Sequence, residues 1–514
     1  MRQGTCGGPI PVDAVNATVW GLVERAAREY PDRVLFGDEH GRVLTARAFR
    51  DGAERVAAGL AVRPGQVVSW QLPSVLEAPV LLAALARVGA VQNPLITALR
   101  FREMSHIIKQ VGASLLIVPN VWRGFDHDGM AQTLGPDVVA LDLSRDAVGE
   151  NLRLPMGDPS TLPPPPTDAT SVRYLYFSSG TTAEPKGAKH TDASVIATSF
   201  GITDQLGINE DDVYPIAWPY PHVGGLALTV ALLRRGGQLV LFDTFDPATI
   251  GVKMAAHRPT ILGSATPFFR AFLDAQRKHG RFPLYPALRA VTAGGAPVQS
   301  RVITELVTTF GLRGVHGSWG LTEFPVAASI SDGDPADKML TTVGRPAPGV
   351  RVRVVDGELR LKGPQCFAGY VDAKLDAVAF DEDGWFRTGD LGEIDAEGYI
   401  TISGRLKEVI IRNAENISAL DVEDVLLRHP DIVDASVFGV ADPRTGESVC
   451  AVVVTNSGAA ITVAEVAKHC AANGLARHKT PERVETVGAL PRNAMGKVLK
   501  HDLCSLVLAR STIA

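Results

Sequence analysis

The chain has 514 residues, more than a single hydrophobic core usually serves, so at least two domains are expected. Hydrophobic residues make up 46% and charged residues 21%, values typical of folded globular proteins, which excludes global disorder. With 51 basic and 56 acidic residues the formal charge is −5, which disfavours general nucleic-acid or membrane-surface binding. A small-molecule substrate fits this balance better.

Cysteine usage and hydropathy indicate the cellular compartment. The five cysteines form no CxxC pair, so neither a zinc site nor a disulfide framework is expected. No segment approaches the ~18 consecutive apolar residues that span a bilayer. The N-terminus has no apolar signal core, and the C-terminus has no targeting tripeptide. These features predict a cytoplasmic protein.

Short apolar runs alternate with helix-like segments through the first part of the chain, which is typical of βα units and a helix-covered parallel sheet. Strands are predicted at residues 67–72 and 115–118, and an apolar helix at residues 78–88. Four consecutive prolines at residues 163–166 predict a stiff connector and a boundary between subdomains.

The pattern changes beyond Thr342. Alternating valines and arginines and an Asp-Gly turn predict a hairpin over residues 350–361, and a second hairpin is predicted over residues 391–402. A Ser-x-x-Asp signature at Ser418 predicts a helix start, and a strand is predicted at residues 433–440. A small α+β domain is therefore expected near the C-terminus.

A segment rich in serine, threonine and glycine, residues 178–187 (SSGTTAEPKG), directly follows a strand predicted at residues 172–177. Glycine lets the backbone approach an anion, hydroxyl and amide groups donate to its oxygens, and lysine adds positive charge. The spacing is neither that of the P-loop nor that of the dinucleotide fingerprint. Because open α/β sheets bind ligands at the carboxyl ends of their strands, a phosphate site is predicted; a polar surface loop is the alternative.

The segment YFSSGTTAEPKG resembles the signature loop of the adenylate-forming enzymes, which include acyl-CoA synthetases, luciferases and the adenylation domains of peptide synthetases. Five further matches follow in the family's order: GGAP at 294–297, GSWGLTE at 317–323, TGD at 388–390, GRLKE at 404–408 and PRNAMGK at 491–497. The resemblance implies an α/β fold with a large N-terminal domain, residues 1–404, of helix-covered parallel sheets plus a small β-barrel-like subdomain. A hinge would join it to a small, mobile α+β C-terminal domain, residues 405–514.

The resemblance also implies a reaction, in which ATP activates a carboxylic acid as its acyl-adenylate and pyrophosphate leaves. Lys497 would bring positive charge to the α-phosphate, Glu323 would be the Mg²⁺ ligand and Thr322 would contact phosphate. Asp390 would accept hydrogen bonds from the ribose hydroxyls, with Arg405 beside it. The implied ATP- and AMP-binding residues are Ser178, Ser179, Gly180, Thr181, Thr182, Lys186, Gly295, Ala296, Trp319, Gly320, Thr322, Asp390, Arg405 and Lys497.

Two positions carry open alternatives. Trp319 stands where the family usually has tyrosine; its indole keeps a flat face for stacking on adenine, and an ordinary core tryptophan is the alternative. His222 resembles the family residue that lines the acyl pocket, where Gly224 and Gly225 would leave room for a bulky acyl group. A packed histidine is the alternative there.

The second half-reaction is implied by the residues that follow the first domain. Lys407 corresponds to the hinge about which the small domain rotates between adenylation and thioester formation. Asn413 and Ala414 replace the two glycines that approach the pantetheine arm of coenzyme A. Since asparagine tolerates unusual φ values and alanine is small, thioester formation is expected to be retained.

Three ligands are therefore expected: a carboxylic acid, ATP with Mg²⁺, and coenzyme A. Free coenzyme A is favoured as the acceptor because no carrier-attachment motif follows the small domain; loading of a separate carrier protein is the alternative. Three short segments resemble those of bacterial ligases for medium-chain, alicyclic and steroid-derived acids. They are residues 93–94, 101–103 and 122–126. A luciferase-type oxygenase and a non-catalytic binding protein are further alternatives, and a homodimer is left open.

Overall fold

The computed structural model describes residues 4–11, 16–144, 152–178, 185–203, 206–295, 298, 300–413, 415–493 and 495–511. The strands are β1 Thr5–Cys6, β2 Val34–Asp38, β3 Val43–Thr45, β4 Val67–Trp70, β5 Val91–Pro94, β6 Leu115–Pro119, β7 Val121–Trp122, β8 Phe125–Asp126, β9 Asp137–Leu141, β10 Val172–Ser178, β11 Lys186–Thr191, β12 Val213–Ile216, β13 Gln238–Leu241, β14 Ile261–Ser264, β15 Ala290–Ala293, β16 His316–Leu321, β17 Phe324–Ser329, β18 Arg345–Pro346, β19 Arg351–Val355, β20 Glu358–Lys362, β21 Phe386–Ile394, β22 Ile400–Arg405, β23 Val409–Arg412, β24 Glu415–Ser418, β25 Ile432–Asp442, β26 Gly446–Thr455 and β27 Arg483–Thr486. The helices are α1 Val19–Glu29, α2 Ala46–Leu60, α3 Glu77–Val88, α4 Phe101–Val111, α5 His127–Ala131, α6 Asp192–Thr203, α7 Val223–Arg235, α8 Ile250–Ala255, α9 Thr266–His279, α10 Ser300–Phe310, α11 Ala336–Thr341, α12 Asp376–Ala379, α13 Ala419–Leu426, α14 Val463–Ala472 and α15 Lys500–Ser511.

Three sheets with parallel strands build the large N-terminal part, with strand orders β11-β10-β5-β4-β6-β9, β12-β13-β2-β3 and β14-β15-β16-β17-β18. Helix α3 connects the parallel strands β4 and β5, and all of its residues are buried, as a crossover helix between packed layers requires. The strands predicted at residues 67–72 and 115–118 and the helix predicted at 78–88 are thereby confirmed.

In the part of the chain that the structure describes, no helix is both long enough and apolar enough to cross a membrane. The cytoplasmic location stays a prediction, and the possible homodimer stays open.

The proline-rich connector is not a boundary between subdomains, so that prediction is wrong. Strand β9 precedes the connector and β10 follows it, and both belong to the same six-stranded sheet. Arg87 at the end of α3 donates to the Pro163 carbonyl at 2.8 Å, which holds the connector against the sheet's own helix layer. Prolines stiffen the chain, but stiffness alone does not say whether the chain leaves the sheet.

An antiparallel sheet, in the order β1-β19-β20-β21-β22, forms the smaller β part of the N-terminal region. Its first predicted hairpin is confirmed: the turn at Asp356 and Gly357 has φ values of 51° and 81°, as a type I′ turn requires. The second is confirmed as the β21–β22 pair, which sets Asp390 opposite Arg405.

The C-terminal part has a sheet of its own, β24-β23-β26-β25 with β27 beside β26, and its own hydrophobic core. The Ser418 side chain accepts a hydrogen bond from the Asp421 amide at 3.3 Å, so the predicted start of α13 is confirmed. The strand predicted at residues 433–440 lies within β25. The two-part organisation agrees with the predicted fold class, and the boundary at residues 404 and 405 falls at the end of β22.

His190 ties β11 to the turn between β16 and β17. The side chain is completely buried; its Nε2 lies 2.8 Å from the Thr322 carbonyl oxygen and its Nδ1 lies 3.1 Å from the Ser194 hydroxyl. Burial lowers the pKa of His190 to about 4, and the hydrogen bond to Thr322 opposes that shift. The ring is therefore neutral at pH 7 and donates one hydrogen bond to the turn.

We expect His190 to make the fold acid-sensitive. Between pH 6.5 and 4 the unfolded chain protonates this histidine and the folded chain does not, so the free energy of unfolding falls as the pH falls through that window. At pH 5 this histidine makes the free energy of unfolding roughly 2 kcal/mol lower than it is at neutral pH. His190→Asn should be less stable than wild type at pH 7.5 but should lose less on going to pH 5, as measured by urea denaturation.

His501→Asn is the matched control, because the His501 side chain is exposed on α15. Its stability should follow that of wild type at both pH values. Equal acid sensitivity of His190→Asn and wild type would contradict the assignment.

Candidate active site

A cavity of about 850 Å³ opens where the parallel sheets, the antiparallel sheet and the C-terminal part meet. The predicted site residues that line it are Ser178, Lys186, His222, Gly224, Gly295, Gly320, Thr322, Glu323, Arg405, Lys407 and Lys497. Residues from several separate motifs, spread along most of the chain, thus meet in one space.

The two ends of the serine- and threonine-rich loop are fixed by a strand pair. Ser178 ends β10, Lys186 begins β11, and the two are direct partners in the antiparallel register. The loop therefore leaves and re-enters the sheet at the cavity wall. The predicted phosphate-binding residues Ser179, Gly180, Thr181 and Thr182 lie outside the described residues, as do Ala296 and Ala414.

Thr322 and Glu323 form the turn between β16 and β17. Glu323 is 8% exposed, its Oε1 accepts a hydrogen bond from the Tyr370 hydroxyl at 2.6 Å, and its carbonyl accepts one from the Phe367 amide at 2.9 Å. Within the described ranges no hydrogen bond reaches Glu323 Oε2. Mg²⁺ is commonly held by one or two carboxylates together with substrate phosphates, so a buried carboxylate with one uncommitted oxygen fits that cation.

Asp390 and Arg405 form an ion pair across the β21–β22 hairpin, with Arg405 Nε 2.7 Å from Asp390 Oδ1. The indole N–H of Trp319 donates to Asp390 Oδ2 at 2.8 Å. Burial raises the pKa of Asp390, and the Arg405 charge and the Trp319 hydrogen bond oppose that shift. Both carboxylate oxygens have protein partners, yet each can accept a further hydrogen bond.

Trp319 is buried in the core that also holds Phe324 and Leu359. The cavity wall is formed by its neighbours Ser318 and Gly320, whereas Trp319 and Asp390 are not among the lining residues. A Cβ on Gly320 would lie 2.1 Å from the Pro325 carbonyl oxygen, so only glycine fits there. Stacking of Trp319 on adenine and contact of Asp390 with ribose stay predictions.

Lys497 reaches the cavity from a tight turn of the C-terminal part. Asn493 Oδ1 accepts hydrogen bonds from the Met495 and Lys497 amides, each at 3.0 Å, and Gly496 has a φ of 81°. Burial lowers the pKa of Lys497, and the nearby charge of Arg405 lowers it further. Two cations on one wall repel each other, so the arrangement favours a polyanion between them.

The C-terminal part docks on the N-terminal part beside this lysine. The Met495 side chain packs against the large N-terminal core, and Arg270 of α9 donates a hydrogen bond to the Val433 carbonyl of β25. Lys407 is exposed in the short 3₁₀ turn Leu406–Glu408 that joins the two parts. The hinge role of Lys407 stays a prediction.

His222 caps α7, because its Nδ1 accepts a hydrogen bond from the Gly224 amide at 3.2 Å. Burial lowers the pKa of His222 to about 4, so the ring is neutral at pH 7. Gly224 lines the cavity, where a Cβ would still have ordinary contacts at 3.4 Å. A Cβ on Gly225 would lie 2.0 Å from the Tyr220 carbonyl oxygen, so Gly225 makes room for this turn rather than for a ligand.

Asn413 lies away from the cavity wall, in the turn between β23 and β24. Its φ is 50°, and its amide donates to the Thr445 carbonyl at 2.8 Å. The left-handed conformation explains why glycine is common at this position in the family and why asparagine can replace it. Contact of Asn413 with coenzyme A stays a prediction.

Sequence reasoning missed several residues that line the cavity, namely Glu358, Tyr370, Arg387, Glu408 and Met495. Glu408 lies in the GRLKE motif and Met495 in the PRNAMGK motif, so both could have been identified from the sequence. Tyr370 follows a glycine in a segment without a distinctive pattern, and its contact with Glu323 depends on the tertiary fold.

Comparisons with known proteins identify the family. A family profile described as AMP-binding enzyme matches residues 23–371, and one described as AMP-binding enzyme C-terminal domain matches residues 421–497. The chain is 30% identical to a medium-chain fatty-acid–CoA ligase of Escherichia coli, over 99% of this chain and 93% of that protein. It is 31% identical to a Mycobacterium tuberculosis propanoyl:CoA ligase whose acid carries a methyl-dioxo-octahydroindenyl group, over 95% and 99%.

The structure also resembles a solved enzyme. It superposes on ATP-bound MatB from Rhodopseudomonas palustris with a TM-score of 0.80 and 28% identity, covering 95% of this chain and 98% of that chain. The TM-score against apo MatB is 0.71. The predicted family and fold class are thereby confirmed, and the chain belongs to the AMP-binding enzyme family.

Proposed function

We propose that this chain is an acid–CoA ligase that activates an apolar monocarboxylic acid as its acyl-adenylate and then forms the thioester. The observation that supports this most strongly is the meeting of Lys497, from the C-terminal part, with Lys186 and Glu323 in one cavity. The enzyme is ATP-dependent and AMP-forming, as the sequence predicts. Its acid, the roles of individual residues and the domain boundary at residues 404 and 405 are the finer parts of the proposal.

The cations of the cavity would bind the triphosphate. Those lining it are Lys186, Arg387, Arg405, Lys407 and Lys497. When the carboxylate attacks the α-phosphorus, negative charge builds on the phosphoryl oxygens and on the departing pyrophosphate, and fixed cations stabilise that charge without reorganising. Lys497 would contact the α-phosphate. Lys186, at the end of the loop, would contact the outer phosphates.

Glu323 would hold Mg²⁺, which neutralises phosphate charge when bound. Thr322 lies beside it in the same turn, so its hydroxyl would contact the same phosphates. His190 and Tyr370 hold the turn from two sides, through the Thr322 carbonyl and the Glu323 carboxylate. Such a rigid turn suits a site that must bind charge at one fixed position.

The acyl group would lie along α7, on the side of the cavity formed by apolar residues. The lining there includes Ile96, Ile107, Phe177, Ile202, Trp218, Val223, Ala227, Leu228 and Val326. The described lysines and arginines that line the cavity, namely Lys186, Arg387, Arg405, Lys407 and Lys497, are those assigned above to the triphosphate, and His222 is neutral. A second carboxylate on the substrate would therefore be buried without a cationic partner, which is costly.

The substrate class is tested with pairs of acids of matched length. Octanoate should be preferred over octanedioate by at least about tenfold in kcat/KM, because an unpaired buried carboxylate costs more than ~1.4 kcal/mol. AMP release in the presence of ATP, Mg²⁺ and coenzyme A measures both rates. Equal turnover of the two acids would contradict the apolar assignment, and turnover that does not rise with coenzyme A would favour a carrier-loading enzyme.

Substitution of Lys497 separates the two half-reactions. Lys497→Ala should lower acyl-adenylate formation by roughly 10²–10³, the effect of losing one preorganised stabilising group. It should still convert supplied acyl-adenylate and coenzyme A to thioester, since the small domain rotates Lys497 away for that step. Lys468→Ala, an exposed lysine of α14 in the same domain, is the control and should retain both steps. Equal loss of both steps in Lys497→Ala would argue against rotation.

The charge of Lys497 should set the alkaline limit of activity. Because burial and Arg405 lower the pKa of Lys497, the free enzyme loses this charge at a lower pH than an ordinary lysine would. The kcat/KM for ATP should therefore fall on the alkaline side below the usual lysine range. Lys497→Arg keeps its charge, so its profile should lack that fall even if its plateau is lower. An unchanged alkaline limb in Lys497→Arg would show that another group titrates; Lys468→Arg should match wild type.

A further inference from the structure

Tyr370 contacts two groups that the proposed mechanism uses, although no motif singled it out. Its hydroxyl lies 2.6 Å from Glu323 Oε1, and Lys186 Nζ lies 5.8 Å from the centroid of its ring. Tyr370 also lines the cavity and is 6% exposed. One side chain thus lies between Lys186, at the end of the phosphate loop, and the carboxylate turn.

The polarity of the hydrogen bond is fixed by chemistry. An ionised carboxylate only accepts, so the Tyr370 hydroxyl donates to Glu323. Hydrogen bonds to charged groups are short and strong, which holds Oε1 and leaves Oε2 for another partner.

Tyr370 is itself held rigidly. Its amide donates to Asp376 Oδ1 at 2.7 Å, and its ring packs edge-on against Phe367 at 4.8 Å between centroids. Backbone hydrogen bonds on both sides join this segment to β11: the Val371 amide donates to the Gly187 carbonyl at 2.8 Å, and the Lys189 amide donates to the Gly369 carbonyl at 3.0 Å. The hydroxyl therefore occupies a position set by the strand that carries Lys186.

We infer that Tyr370 is a positioning residue that sets the affinity of the site for the divalent cation by holding Glu323, and that its ring orients Lys186 towards the phosphates. The inference rests on the proposed function, because it takes Glu323 as the cation's ligand. Groups that orient metal ligands in this way typically change metal affinity 10- to 100-fold when they are removed. A cation over an aromatic face contributes less, about two- to fivefold at a partly exposed site.

The two contacts can be separated by substitution. Tyr370→Phe removes the hydroxyl and keeps the ring, whereas Tyr370→Leu removes both. Tyr285→Phe is the matched control: Tyr285 is equally buried, its hydroxyl donates to the Gly251 carbonyl at 3.1 Å, and it does not line the cavity. Full-length protein is used throughout, and thermal unfolding reports whether each variant keeps its fold.

Binding is read without turnover, by electron paramagnetic resonance of Mn²⁺ titrated in the presence of α,β-methylene-ATP. Tyr370→Phe should weaken Mn²⁺ binding by tenfold or more, while nucleotide binding in EDTA stays within twofold of wild type. Tyr370→Leu should weaken Mn²⁺ binding as much and should also weaken nucleotide binding in EDTA. Tyr285→Phe should match wild type in both measurements.

The Glu323→Gln background keeps the test decisive if the single variant is destabilised. In that background, adding Tyr370→Phe should cause no further loss of Mn²⁺ affinity, because the carboxylate that Tyr370 positions has already been replaced by an amide. Wild-type Mn²⁺ affinity in Tyr370→Phe, or additive losses in the double variant, would overturn the inference. A wild-type protein that binds neither nucleotide nor Mn²⁺ and adenylates no acid would instead overturn the proposed function.

Discussion

The ion pair between Asp390 and Arg405 decides where the two parts of the protein meet. Arg405 is the last residue of β22, and its Nε lies 2.7 Å from Asp390 Oδ1 in the neighbouring strand. The chain leaves the antiparallel sheet at that point and enters the 3₁₀ turn Leu406–Glu408, which leads to the C-terminal sheet. Because the pair fixes the end of the strand, it also fixes the direction in which the C-terminal part begins.

The same pair shapes the electrostatics of the cavity. Asp390 pairs with Arg405 and also accepts the Trp319 N–H, and the charge of Arg405 lowers the pKa of the neighbouring Lys497. Like charges held side by side store repulsion, which an incoming triphosphate relieves. In the proposed mechanism, binding of the nucleotide and docking of Lys497 would be coupled, because each would reduce the cost of the other.

Local chemistry made much of the fold predictable. The Asp-Gly turn at residues 356 and 357, the Ser418 cap and the largely apolar helix α3 carry their signals within a few residues, and all three formed as expected. The connector at residues 163–166 misled because its composition reports stiffness, while its path depends on which strands pair. Pairing between distant strands is a tertiary property that no local window contains.

The site divides in the same way. Lys497, Thr322 and Arg405 could be named from motifs, because the resemblance supplied the tertiary information that the residues alone lack. Gly225 shows the limit of that route: a small residue beside a pocket suggested space for a ligand, yet the Tyr220 carbonyl fills that space. Only the backbone of the preceding turn, which sequence does not display, distinguishes the two reasons for a glycine.

Two residues that belong to strand β11 or are bridged to it hold the turn at Thr322 and Glu323. His190 lies within β11 and bonds the Thr322 carbonyl, while Tyr370, bridged to the same strand through Ala188, bonds the Glu323 carboxylate. Lys186 begins that strand. Any shift of β11 would therefore move the loop lysine and the carboxylate together. In the proposed mechanism, where Lys186 contacts the outer phosphates and Glu323 holds the cation, one rigid strand rather than two independent loops would preserve their separation.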